Sequence, residues 1–199
     1  MKSLKAFLLM LLFICANLWV QGIALAETLD LPASFEGESL LSGQKTQVQR
    51  VDEKSKGLVL IFMSVKCPCS NSHVDLVKKL SQQYKDFRFL VVHSNPEENK
   101  SESQTYFKSF APTIEVLQDE KTKLADLLKA YKTPHAFVFN SKGEIVYRGG
   151  VTNSAHAPSA DRQYLAEVLQ DVSEGKKPRI DQGRTLGCVI SREGEKNVF

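Results

Sequence analysis

Lys66-Cys67-Pro68-Cys69-Ser70, written KCPCS, sets two thiols one proline apart directly after the apolar run GLVLIFMSV. Cysteines in that pattern serve as a redox centre, as soft-metal ligands or as a structural disulfide. Their place in the chain decides what each can do. Leu58 to Met63 is unbroken, apolar and β-prone, the pattern of a strand buried on both faces. Val74, Val77, Leu80 and Tyr84 then recur at helical spacing over residues 71–84. KCPCS therefore joins a buried strand to a helix, at the carboxyl edge where α/β sheets carry their sites. Proline is favoured at the first helical position, which puts Cys67 on the cap. Its sulfur then faces the free N–H groups of Cys69 and Ser70. Those donors and the helix dipole stabilise a thiolate, lowering the thiol from its ordinary pKa of about 8.5. Cys67 is expected to be a nucleophile. Residues two apart do not share a helix face, so Cys69 is expected to be extra to a Cys-x-x-Ser arrangement in which Ser70 shares the face of Cys67.

The elements that must hold this loop alternate along the chain. Phe87 to Val92 reads as a second buried strand, Tyr106, Phe107 and Phe110 as a short helix ending before Pro112, and Ile114 to Leu117 as a brief strand. Leu124, Leu127, Leu128 and Tyr131 stand at i, i+3, i+4 and i+7 and predict an amphipathic helix. Ala136 to Phe139 and Ile145 to Tyr147 are strands joined by the turn NSKG, and Tyr164, Leu165, Val168, Leu169 and Val172 mark a last helix. The class is α/β, with a largely parallel sheet, an antiparallel hairpin at its edge and helices on its faces. Residues 57–174 form the domain, 27–56 an N-terminal extension with a strand at Gln47 to Val51, and 175–199 a C-terminal tail.

The first 26 residues carry Lys2 and Lys5, a mostly apolar stretch from Ala6 to Val20, and small residues at Ala24 and Ala26. This is the pattern of a secretory signal peptide, cleaved after Ala26, and it predicts a periplasmic or secreted protein. Cleavage leaves 173 of the 199 residues, removes Cys15 and takes the formal charge from +3 to +1. No basic block accompanies aromatic residues, so nucleic acid is not an expected partner, and no later apolar stretch is long enough for a membrane span. Export places Cys67, Cys69 and Cys188 in an oxidising compartment. Three is odd, so any internal pair leaves one thiol over.

Strand, Cys-Pro-x-Ser, helix, and later KTPHAFVF followed by SKGEIVYRGG together resemble the thioredoxin fold, firmly over residues 57–150. Within that superfamily the chain is most similar to the peroxiredoxin-like redoxins of the alkyl hydroperoxide reductase/thiol-specific antioxidant type. Thr185-Leu186-Gly187-Cys188-Val189-Ile190 resembles a tail that some of these carry. The resemblance implies a mixed central sheet flanked by helices, with a cis bond between Thr133 and Pro134 facing Cys67. Thr133 would pair with an extended substrate, Pro134, Ser64 and Ser70 would bind substrate beside it, and His135 would lie near the cleft. His73, one turn into the helix, is expected in solvent. Ser64 matches the hydroxyl position of the peroxidatic loop, whereas Leu60 replaces its proline and Ser70 replaces the second cysteine of a dithiol thioredoxin. The implied chemistry needs no cofactor. Cys67 attacks a small-molecule peroxide or a protein thiol/disulfide substrate, Cys188 or Cys69 resolves the product, and a thiol reductant resets the pair.

A second reading from a different class is a copper(I) carrier, with Cys67, Cys69 and His135 as soft ligands. Thioredoxin-fold copper proteins of cytochrome oxidase assembly offer a resemblance for it, through a Cys-x-x-x-Cys that this chain lacks.

Overall fold

A computed structural model describes residues 31–110 and 114–192. The expected signal segment with its cleavage site, residues 27–30 of the extension, Pro112 and residues 193–199 of the tail lie outside the described residues.

The chain runs through β1 (Ser34–Ser39), β2 (Lys45–Gln49), β3 (Gly57–Phe62), α1 (Pro68–Gln83), β4 (Phe87–His93), α2 (Lys100–Phe107) and β5 (Glu115–Gln118). It continues through α3 (Lys123–Leu127), β6 (Lys132–Thr133), β7 (His135–Asn140), β8 (Ile145–Gly149), α4 (Tyr164–Ser173) and β9 (Cys188–Val189). Seven strands make one sheet in the order β2-β1-β5-β4-β3-β7-β8, while β6 and β9 pair separately. Of the strand pairs in this sheet, β3–β4 and β4–β5 are parallel and the others antiparallel, so the central sheet is mixed, as the resemblance implies.

Period-two alternation explains why the central strands read as continuous apolar runs. Val59, Ile61, Phe89, Val91, Ala136 and Val138 face one core, where Val77 and Leu80 of α1 and Leu165, Val168 and Leu169 of α4 cover them. Leu58, Leu60, Phe62, Leu90, Val92, Phe137 and Phe139 face the other, under Leu31, Ala125, Leu128 and Ile190. Every residue of β3 is buried, which fixes the start of the KCPCS loop at the middle of the sheet.

Three segments differ in detail from the sequence reading. The N-terminal extension carries two strands, β1 and β2, rather than one at Gln47–Val51, and β1 pairs with β5 and continues the sheet to its edge. The amphipathic helix is only five residues long. A left-handed Lys129 (φ 52°) follows it, and Leu127 and Tyr131 are 41% and 58% exposed. The described part of the tail, residues 175–192, is docked. β9 pairs with β6, Ile190 is fully buried, and Arg192 bonds Asp126 and the carbonyl of Ala130. Among the described residues, no helix is long and apolar enough to cross a membrane.

Candidate active site

Cys67 is the N-cap of α1, with Pro68 in the first turn and no acidic residue there. Its Sγ accepts the Ser70 N–H at 3.4 Å and, as a thiol, donates to the carbonyl of Thr133 at 3.1 Å. The Thr133–Pro134 peptide bond is cis. In register, Thr133 pairs with Cys188, and Ile190 N–H reaches the carbonyl of Tyr131 at 2.9 Å. The close approach needs Gly187, where a Cβ atom would stand 1.8 Å from the Thr133 carbonyl oxygen. The tail thereby occupies the edge of β6 that the resemblance assigns to an extended substrate.

This docking brings three sulfurs together. The Sγ atoms of Cys67, Cys69 and Cys188 all lie within 4.8 Å of one another, and none is in a disulfide. Cys67 is 1% exposed, whereas Cys69 and Cys188 reach solvent in part. Burial pushes the Cys67 thiol up, but hydrogen bonds from the Cys188 thiol, the Thr133 side chain and the Ser70 and Cys188 N–H groups outweigh it and bring it down to about 7. Thr133 Oγ1 makes no hydrogen bond of regular geometry, which leaves its hydroxyl free to turn to that sulfur. Burial, followed by hydrogen bonding to Cys67 and the Cys67 charge, pushes Cys188 up to about 12; burial and the same charge raise Cys69. The cluster therefore concentrates one negative charge on Cys67.

Ser64 and Ser70, expected to contact substrate, are buried and turned to the scaffold. Ser64 N–H donates to Ser70 Oγ at 3.3 Å, and Ser64 Oγ donates to Glu98. The cap geometry points the N–H of Ser70, not its hydroxyl, at the sulfur. Glu98 also accepts the N–H groups of Val65 at 3.0 Å and Lys66 at 3.2 Å, and pairs with His93 Nε2 at 2.8 Å. Burial pushes Glu98 up, yet these donors, His93 foremost, hold it at about 2. Tyr106 O–H donates to Asn71 Oδ1 at 2.6 Å and Asn71 Nδ2 to the Val65 carbonyl at 3.2 Å, bracing the loop from its other side. Neither Glu98 nor His93 stands out in the sequence as a site residue. The available signal was a histidine ending a buried strand with an acid five residues on, at the same sheet edge as KCPCS.

Two histidines depart from expectation. His135 is not among the clustered donors. Strand alternation puts it on the face of Phe137, ring centroids 4.5 Å apart, and burial, then the Arg148 charge, lowers it to about 4. The ligand set of Cys67, Cys69 and His135 is thus not assembled; the group beside the two thiols is Cys188. His73, expected in solvent, is 1% exposed and bonds the Cys69 carbonyl at 2.7 Å and Thr152 Oγ1 at 2.9 Å.

Residues 38–191 match the family described as Domain of unknown function (DUF6436). The chain belongs to that family. No curated protein is significantly similar in sequence. A hypothetical protein of Sinorhizobium meliloti is similar at TM-score 0.72 and 21% identity, over 82% of this chain and 93% of that one. A thioredoxin-like protein of Aeropyrum pernix follows at TM-score 0.51 and 15% identity, over 62% and 84%. A secreted Mycobacterium tuberculosis disulfide oxidoreductase aligns at TM-score 0.52 and 15% identity, over 70% and 95%. The DUF6436 chain has the thioredoxin-like fold, with a mixed sheet between helices.

Proposed function

We propose that this DUF6436 protein is an exported thiol oxidoreductase whose nucleophile is Cys67. The observation that carries the reading is the cap-held Cys67 sulfur with two further thiols within 4.8 Å. In thiol–disulfide exchange, the Cys67 thiolate attacks one sulfur of a substrate disulfide, the S–S bond breaks, and the other sulfur leaves as a thiolate that takes a proton. Cys67 loses its charge in that step, which removes part of what holds the neighbouring thiols protonated. Cys188 then gives up its proton and attacks the Cys67 sulfur, releasing the second substrate half as a thiol. The protein ends as a Cys67–Cys188 disulfide, two electrons having passed to the substrate. An external dithiol reductant restores it.

The burial of Cys67 favours hydrogen peroxide as a second substrate class, because a small molecule reaches that sulfur more easily than a folded loop does. Attack on an O–O bond gives a sulfenic acid on Cys67 and water, and Cys188 condenses with it, releasing a second water. The secreted disulfide oxidoreductase among the structural neighbours and the expected signal segment support the export half of the reading. Turnover of a small disulfide and of hydrogen peroxide by the full chain, with a dithiol as reductant, is the test. Cys67→Ser should abolish it, and Cys188→Ser should trap a mixed disulfide visible by intact mass. Retained turnover in Cys67→Ser refutes the proposal.

A further inference from the structure

The proposed thiol chemistry uses Cys67 and Cys188 as a pair; Cys69, which completes the triangle, serves no step of it. We infer that the fully reduced cluster of Cys67, Cys69 and Cys188 is a three-coordinate binding site for one soft monovalent cation, Cu(I).

Size fits first. Metal–thiolate bonds of about 2.3 Å set the sulfurs of a planar trigonal site about 4 Å apart. Sulfurs already within 4.8 Å reach that spacing by contracting less than about 1 Å. Donor type comes second. All three donors are sulfur, and among the described residues no carboxylate or imidazole joins the group. Soft thiolates select Cu(I), while structural zinc completes a tetrahedron of four ligands. Positioning is the third point. Cys67 and Cys69 are fixed by the cap and first turn of α1, and Cys188 by its register opposite Thr133, with Ile190 anchored in the core beyond it.

Charge and access complete the case. A cation bound by three thiolates leaves a net negative cluster, which suits a helix N-terminus whose first turn has no acidic residue. Cys67 forms the buried floor of the triangle and the partly exposed Cys69 and Cys188 its rim, so the ion enters from the solvent side. Binding leaves the oxidation states of metal and sulfur unchanged and releases the remaining thiol protons to water. A Cys67–Cys188 disulfide removes two of the three ligands, so copper occupancy and thiol turnover exclude each other.

The test is anaerobic titration of the reduced full-length protein with Cu(I) against a chromophoric Cu(I) chelator, followed by X-ray absorption at the copper edge. A single equivalent should bind, with a shell of three sulfurs at about 2.3 Å. Cys188→Ser and, separately, Cys69→Ser should each weaken binding by at least about tenfold, with circular dichroism showing the fold retained. No competition with the chelator, affinity unchanged in both variants, or nitrogen in the copper shell would overturn the inference. Turnover without copper binding defeats the copper site alone; copper binding without turnover defeats the oxidoreductase reading alone.

Discussion

Cys67 and Glu98 work as a pair although they never touch. Cys67 holds the charge, and Glu98 holds the Ser64–Lys66 stretch that delivers it to the cap. Because the Cys67 thiol lies at about 7, alkylation of the reduced protein at about pH 6 should modify Cys67 first, its rate rising to half maximum near pH 7. Cys69 and Cys188, both raised, should label only at higher pH; peptide mass mapping over a pH series reads the order. Glu98 gives a separate signal. Its folded value of about 2 lies below the ordinary 4.5, so its stabilisation is complete above about pH 4.5 and fades as pH falls toward 2, a span worth on the order of 3 kcal/mol. Urea midpoints at about pH 6 and pH 3 should differ accordingly, and Glu98→Gln should lose about 3 kcal/mol at neutral pH and flatten that difference. Cys67 was legible because strand, cysteine and proline are consecutive. Glu98 was not, because its partners come from the loop before α1 and the end of β4, and no periodicity joins them.

At the scale of elements, what the sequence conveys is which face is buried, and it does so only where one face dominates. β3 and β4 are buried on both faces and read correctly. Val74, Val77, Leu80 and Tyr84 mark α1 in the sequence, but its buried stripe is Ser70, His73, Val77 and Leu80. A stripe that includes a histidine and a serine is polar at its N-terminal end, so residue type alone suggests solvent for His73, although it stands four residues before Val77 on the same face. α3 failed for the opposite reason: four apolar residues at helical spacing sit on a short turn, and Leu127 and Tyr131 remain outside. The His73 contact ties α1 to the segment after β8. Thr152→Val should cost about 1–3 kcal/mol by leaving His73 Nε2 without its partner. Burial lowers His73, so the folded state resists its protonation and stability should fall as pH drops below about 6.5, measurable as the melting temperature from pH 8 to pH 5.

For the whole molecule, the decisive feature is that the last described residues return to the first helix. Nothing in the composition of 175–199, rich in glycine and charge, announces this; among the residues that carry it, Gly187 fits against Thr133, Ile190 fills the second core and Arg192 reaches Asp126. Ile190→Ala should destabilise the protein by about 2–4 kcal/mol in urea. A Cys67–Cys188 disulfide would close a loop of about 120 residues, which in the chain-entropy account stabilises by nearly 5 kcal/mol, whereas a Cys67–Cys69 bond would constrain almost nothing. Oxidised protein should therefore outlast reduced protein in urea, and Cys188→Ser should erase the difference. The docked tail also makes the C-terminal strand a reporter of electron count. The Ile190 amide, bonded to the Tyr131 carbonyl, touches no sulfur, yet its exchange with solvent deuterium requires β9 to lift from β6. With two electrons removed that lifting is tethered beside Cys67, and with them restored it is opposed only by packing and hydrogen bonds. An amide two residues from the nearest thiol should exchange slowly in one state and faster in the other, so that the oxidation state of the site can be followed by a proton that takes no part in its chemistry.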